Sequence, residues 1–388
     1  MNILYISHSA DLYGSEQSLL LLLKNLNQKE FTSFVILPKE GPLREIIEPY
    51  AKVEVIPSLK PWLTLHKGLL CFIYNIATIP FILWSTLKIV NFIKTHDIDL
   101  VHTNSLVTIS GALAAKISNV PHVWHARELL SSSSLYPMNP VLGLKTVIGI
   151  IQRLSDIIIA NSNATKNCFP NSSNIQVVYN PVDNRFITTS PTKTKLYHEL
   201  ELPSNSLLVG QISQIIPIKG CDIFITAASI VKQHISNVTF ISIGGTPTLR
   251  QTYKQQLKQM IYDYNLQESF RFLGLRQDIP DILSALDLLV LPSRSESFGR
   301  VLVEASAVGI PIIGTNSGGI PEIIDHSVTG FVVPPNRPEI LAQAMITLLQ
   351  NKAVATKMGQ KGKERVKSYF TIDKYTNDIE NIYHNLAN

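Results

Sequence analysis

The residues best able to do chemistry lie in one segment, Pro292-Ser293-Arg294-Ser295-Glu296-Ser297-Phe298-Gly299-Arg300-Val301-Leu302-Val303-Glu304-Ala305. It follows the apolar run Leu288–Leu291 and opens an apolar helical stretch. That order places Glu296 in a loop at the carboxyl end of a strand. It puts the amides of Phe298 and Gly299 at a helix start, where backbone N–H groups lack intrahelical partners and can donate to an anion or a sugar hydroxyl. Glu304 falls about a turn into the helix, so two carboxylates can reach one ligand from different heights. Either acid alone is an ordinary feature of a helix start. The pair, with Ser-Phe-Gly between them, is far more specific.

This segment resembles the Glu-x7-Glu signature of the retaining GT-B glycosyltransferases, the group 1 family of bacterial glucosyl-, mannosyl- and N-acetylglucosaminyl-transferases. The resemblance implies that Glu296 contacts the transferred sugar and that Glu304 binds the ribose hydroxyls of a nucleotide. Val209 to Gly220 is similar to the family's strand, phosphate loop and helix start, with Lys219 as its lysine. A lysine beside a helix N-terminus suits a diphosphate, since it joins a point charge to free amides. The family's arginine position falls on Gln214, a departure that removes one charge-assisted bond worth about 1–3 kcal/mol. Arg294 or Arg300 could supply that charge, or be solvated surface residues.

Further segments carry the same likeness. Gly318-Gly319-Ile320-Pro321-Glu322 resembles the family's Gly-Gly-x-Pro-Glu loop, Gly274-Leu275 its nucleobase loop and Gly244-Gly245 a further glycine turn. Ser9 to Gln17 is similar to its Gly-rich loop after the first strand, and implies that Gly14 and Ser15 face the donor. Read from the residues alone, Ser15 is a helix cap. Trp124-His125-Ala126-Arg127-Glu128 resembles the strand-end histidine near the donor sugar; His125 reads equally well as a structural residue. The implied reaction uses a UDP- or GDP-linked sugar with Glu296, Lys219 and His125 as catalytic residues, and needs no cofactor or metal. The alternative is a catalytically silent sugar-nucleotide-binding protein of the same fold.

Around the site, short apolar strands alternate with helical stretches, the pattern of parallel α/β sheets. Strands are expected at Ile3–Ser7, Ser33–Leu37, Val53–Ile56, Leu100–Thr103, His122–His125 and Ile157–Ala160. After a linker-like stretch at 183–204 they resume at Leu207–Ile212, Val238–Ile243, Phe270–Phe272, Leu288–Leu291, Ile312–Gly314 and Gly330–Val333. Two Rossmann-like doubly wound domains, 1–190 and 200–370, are therefore expected, facing across a cleft, with an amphipathic helix at 372–388 packing back on the first; the resemblance implies that the first binds the acceptor and the second the donor. No G-x-G-x-x-G follows the first strand, which argues against a nicotinamide dehydrogenase.

Composition sets the outer limits. The 388 residues are 45% hydrophobic and carry a formal net charge of +5, enough to build large cores. No basic run suits a nucleic acid. Cys71, Cys168 and Cys221 form no C-x-x-C pair, so a reducing, cytoplasmic setting is expected. The N-terminus lacks a signal-peptide pattern, so the Asn-Ala-Thr at 163–165 and Asn-Ser-Ser at 171–173 are read as chance matches. Asp97-Ile98-Asp99 reads as a turn and cap, not a metal site. From Gly68 to Leu87 there is no charge, and Lys67 and Lys88 flank the run. It is long enough to span a bilayer, yet it joins two strands of one expected sheet. A crossover helix, buried or docked at the inner face of a membrane, fits better, and favours a saccharide or lipid-linked acceptor with peripheral membrane contact.

Overall fold

The computed structural model describes residues 1–63, 68–130, 143–170, 172–189 and 192–387. Lys67 and the Asn171 of the second acceptor-like triplet lie outside them. The chain divides into two compact units, Met1–Pro181 with Ile372–Asn388, and Val182–Thr371.

The first unit is built on seven parallel strands: β1 (Asn2–Ile6), β2 (Thr32–Leu37), β3 (Lys52–Val55), β4 (Leu100–Thr103), β5 (His122–Ala126), β6 (Ile157–Ala160) and β7 (Ile175–Val177), in the order β3-β2-β1-β4-β5-β6-β7. The central strands are buried along nearly their whole length, as expected of a parallel sheet covered on both faces. β7 has no counterpart among the expected strands. It is three residues long, sits at the edge and carries the exposed Gln176, so it lacks an apolar run to announce it. The helix Ile372–Ala387 buries Tyr375, Ile379, Ile382 and Tyr383 in this unit's core with Tyr5, Leu19 and Leu22.

The second unit has six parallel strands: β8 (Leu207–Ile212), β9 (Val238–Ile243), β10 (Phe270–Gly274), β11 (Leu288–Leu291), β12 (Ile312–Thr315) and β13 (Gly330–Val333), in the order β10-β9-β8-β11-β12-β13. The chain runs outward from β8 through β9 to β10, then returns to the other side of β8 as β11. The order therefore reverses between β8 and β11, the place where open α/β sheets hold ligands. The stretch 183–204, linker-like in sequence, contains the short helices Asn184–Thr188 and Thr194–Glu199, with Phe186 and Leu196 buried.

The uncharged run lies in one helix, Gly68–Thr95, between β3 and β4. Its C-terminal half packs on the sheet through Ile89, Val90 and Ile93, against Leu4, Ile6, Phe34 and Ile36.

Candidate active site

In the second unit, Lys219 follows β8 and Glu296 follows β11, on the two sides of the order reversal. Lys219 Nζ lies 2.6 Å from Glu296 Oε2, with Ser293 Oγ donating to the same oxygen at 3.4 Å. Gln211, at the buried end of β8, donates to the Lys219 carbonyl at 2.8 Å and fixes the loop from below. Gly220 lets this loop lie on its neighbour. Its φ is +69°, and a Cβ there would stand 2.1 Å from the Pro292 carbonyl oxygen. Gly244 does the same at β9, where a Cβ would meet the Ser213 carbonyl oxygen at 1.9 Å.

The strand-end loops are stitched together by backbone. The Arg294 amide donates to Ile218 O at 2.8 Å and the Gly319 amide to Glu296 O at 3.0 Å. Gly319 thereby holds the loop that carries Glu296, and Gly318 before it turns with φ +55°. Gly274, at the end of β10, accepts from the Gly244 amide at 2.8 Å, and Leu275 beyond it is 80% exposed. An apolar side chain so exposed at a strand end offers a surface on which a flat ring can rest.

On the helix Arg300–Val308, Glu304 is nearly buried and takes Arg300 Nη2 at 3.3 Å. The Phe298 ring is core, packed edge-on against Phe370 at 5.8 Å, so the ring is closed to a ligand. Gly299 caps the helix with φ +101°, and among the described residues its amide meets no acceptor.

Arg294 does not offer a free charge. Its Nη1 and Nη2 grip the Asp222 carboxylate at 2.8 and 2.5 Å, and its Nε donates to Asn336 Oδ1 at 2.7 Å. Burial would raise the Asp222 carboxyl, but the bonds from Arg294 and Tyr253 outweigh it and hold it below its usual range. Arg294 thus ties the helix start at Asp222 to the loops around it. Gln214 is half-buried, and among the described residues its side chain makes no hydrogen bond. Asp222, Gln211 and Asn336 escaped the sequence reading, although Asp222 stands two residues after Gly220, in the first turn of the helix Cys221–His234.

In the first unit, His125 lies at the end of β5, fully buried. Arg127 Nη2, always a donor, points at its Nδ1 at 3.3 Å. The ring proton is therefore on Nε2, a buried donor with no acceptor among the described residues. A buried N–H left unpaired is costly, and a ligand oxygen would satisfy it. Arg127 also bonds Asn104 Oδ1, Asn180 Oδ1 and Tyr375 Oη at 2.9, 2.7 and 3.3 Å. His102 Nδ1 and Tyr383 Oη are hydrogen-bonded at 2.6 Å, while His102 Nε2 has no partner among the described residues. Burial first, then the neighbouring guanidinium, pushes both histidines well below the usual range, so both are neutral. This network was not foreseen, although Arg127 is two residues from His125.

Gly14 opens the helix Gly14–Asn25 and is exposed. Ser15 is not the cap its position suggests. Tyr13 holds that place without a side-chain bond, and Ser15 Oγ donates instead to Glu16 Oε2 at 2.7 Å. Asp99 accepts from the Asn2 amide at 2.7 Å, joining the start of β4 to β1.

Comparison with known proteins gives this arrangement its family. Residues 192–365 match the model described as Glycosyl transferases group 1, and residues 13–186 the model of Glycosyltransferase Family 4. The chain is 24% identical over 368 residues to the UDP-Gal:alpha-D-GlcNAc-diphosphoundecaprenol alpha-1,3-galactosyltransferase of Escherichia coli, covering 92% of this chain and 90% of that one. It is 28% identical to the N-acetyl-alpha-D-glucosaminyl L-malate synthase of Bacillus anthracis, over 60% of each chain. Among solved structures, Anabaena HepE in complex with UDP and glucose superposes with a TM-score of 0.83 at 26% identity, covering 99% of both chains. Two family models that together span both units, with a solved relative matching from end to end, place the chain in the group 1 glycosyltransferases, enzymes of the GT-B fold.

Proposed function

We propose that this glycosyltransferase moves a hexosyl group, with retention of configuration, from a UDP-linked sugar to a hydroxyl of a lipid-linked saccharide at the cytoplasmic face of a membrane. The observation that carries the reading is the Lys219–Glu296 pair at the order reversal of the second sheet. Lys219 is about a quarter exposed and Glu296 about a tenth, so the pair is open to exchange with a ligand. An arriving diphosphate takes the ammonium, and the freed carboxylate turns to the sugar hydroxyls. Glu304 accepts from the ribose hydroxyls, and Leu275 rests against the base. Complexes of Anabaena HepE with UDP and with UDP-glucose support a uridine donor. The diphosphoundecaprenol acceptor in the name of the Escherichia coli relative supports a lipid-linked one.

In the reaction the bond from the anomeric carbon to the diphosphate breaks, and one to the acceptor oxygen forms on the same face. The acceptor's proton passes to a departing phosphate oxygen. Lys219 and the Gly299 amide stabilise the charge that develops on that phosphate. His125 Nε2–H donates to a ligand hydroxyl. Glu296 orients the sugar and is not assigned as a nucleophile.

The test is a panel of UDP- and GDP-sugars with released nucleoside diphosphate as the readout, and NMR of the product anomer. Absence of both turnover and thermal shift with every donor would sink the reading. Gln214 in place of a cation favours one other reading, a sugar-nucleotide binder without turnover. A thermal shift with no release, even with lipid-linked saccharides added, would select it.

A further inference from the structure

Between Ile76 and Leu87 the helix Gly68–Thr95 is turned inside out with respect to an ordinary surface helix. Its hydroxyl groups there face inward: Thr78, Ser85 and Thr86 are buried, and Ser85 Oγ meets Ser110 Oγ at 2.8 Å. Its largest apolar side chains face outward. Ile76, Ile79, Phe81, Leu83, Trp84 and Leu87 are each between 48% and 60% exposed. Water is a poor solvent for such a face, and a monomeric protein seldom leaves a patch of this kind uncovered.

The surroundings identify what covers it. The helix holds no acidic residue, and the cations near it stand at the margin of the apolar face. Lys60 Nζ lies 6.0 Å from the centre of the Phe81 ring and Lys88 Nζ 5.8 Å from that of Trp84. Apolar side chains in the middle, with a tryptophan and lysines at the margin, is the order in which a helix meets headgroups over acyl chains. Beside Trp84, Leu87 and Lys88 opens a groove of about 510 Å³ that runs to Phe92 and His96, with Glu54 as its one carboxylate. The helix does not cross the membrane, since it joins β3 and β4 of a single sheet. A protein partner is disfavoured because the outward positions between Ile76 and Leu87 offer it one side-chain hydrogen bond, from Trp84 Nε1–H.

We propose that this face is a docking surface for a bilayer rich in anionic lipid, with Trp84 at the headgroup level and Lys60 and Lys88 paired to lipid phosphates. The inference deepens the membrane-proximal acceptor proposed above and rests on that reading for its purpose. Its test needs neither donor nor acceptor, so the two can fail separately.

The full chain is mixed with phosphatidylcholine vesicles, with and without phosphatidylglycerol, and sedimented. Trp62 and Trp124 are buried, so Trp84 is the exposed indole that reports on the surface. The expected result is co-sedimentation with the anionic vesicles, weakened by salt, and quenching of fluorescence by brominated acyl chains that disappears in Trp84→Phe. Leu83→Ser combined with Leu87→Ser lowers the partition coefficient about tenfold or more while leaving the melting temperature and UDP affinity unchanged. Three outcomes would overturn the proposal: no vesicle binding, equal binding to both vesicle types, or a chain that self-associates through this face and dissociates in the double variant.

Discussion

The strand ends of the two units keep their polar groups in opposite ways. In the second unit three cations each have a carboxylate: Lys219 with Glu296, Arg300 with Glu304, Arg294 with Asp222. All six side chains keep between 11% and 27% of their surface exposed. In the first unit Lys39 pairs with Asp11 at the surface, but the buried cation is Arg127, 8% exposed, and its guanidinium partners are neutral oxygens and a histidine. Pairs at a wet surface can trade one partner for a ligand's charge at modest cost. A buried network held by neutral groups cannot, because any loss leaves orphaned donors or acceptors. The second unit is thus built to exchange ions and the first to hold its shape.

The largest effect should come from breaking the exchangeable pair. Glu296→Gln is expected to lower kcat by about a hundredfold or more, the scale of removing one transition-state contact. UDP affinity should hold or improve, because Lys219 is then free for the phosphate. A weakened UDP affinity in titration calorimetry, together with a lower melting temperature, would mean the pair is structural and erase the contrast.

The converse substitution is Arg127→Met. It strips Asn104, Asn180 and Tyr375 of a donor in the core, and is expected to cost about 3 kcal/mol of stability in the first unit. UDP binding by the second unit should be untouched. A thermal scan that shows no loss would refute the rigid half of the comparison.

Acid should separate the units as well. Burial lowers His122 from its usual value to about 4, and His102 and His125 also lie well below theirs. His122 is satisfied while neutral: its Nδ1–H donates to Leu154 O at 2.8 Å and its Nε2 accepts from Thr103 Oγ1 at 2.8 Å. The folded pKa is depressed, so the unfolded chain takes up protons first as pH falls. Stability is full above the unfolded value near 6.5 and is lost between there and about 4. Each such histidine should withdraw about 2 kcal/mol on going from neutral pH to pH 5. His198, His234 and His326 of the second unit are exposed, with no buried ring to desolvate. Melting curves across this range should show acid sensitivity in the first unit, reduced in His122→Gln. An equal response in both units would contradict the burial argument.

How much of this could be read from sequence follows from the range of each interaction. The strands of both sheets announce themselves because a strand buried on both faces must be apolar throughout. Glu296 and Glu304 are legible because the loop and helix that carry them are contiguous. Arg127 and Asn180 meet across 53 residues, and Arg294 and Asp222 across 72, with no local pattern to join them. β7 and the short helices at 184–199 lack the length to show a period. The helix at 68–95 was visible as an apolar run, but which of its faces turns outward is decided by the sheet and by Ser110, not by its own residues.

Gln214 offers the smallest and sharpest test of the exchange idea. Each of the three second-unit cations named above already has a carboxylate, so a diphosphate gains the full charge of a cation only by displacing one. Arg294 is the least able to move, since its Nη1, Nη2 and Nε are all bonded. Gln214 sits half-buried on the loop after β8, with no side-chain hydrogen bond to lose among the described residues. Gln214→Arg should therefore add an uncompensated cation and lower the Kd for UDP about tenfold, with a steeper dependence on salt. The melting temperature should stay within about a degree or two, as for most surface substitutions. If the affinity does not change while Lys219→Ala weakens it, position 214 does not face the phosphates, and the second unit's grip on its donor rests on Lys219 and the loop amides alone.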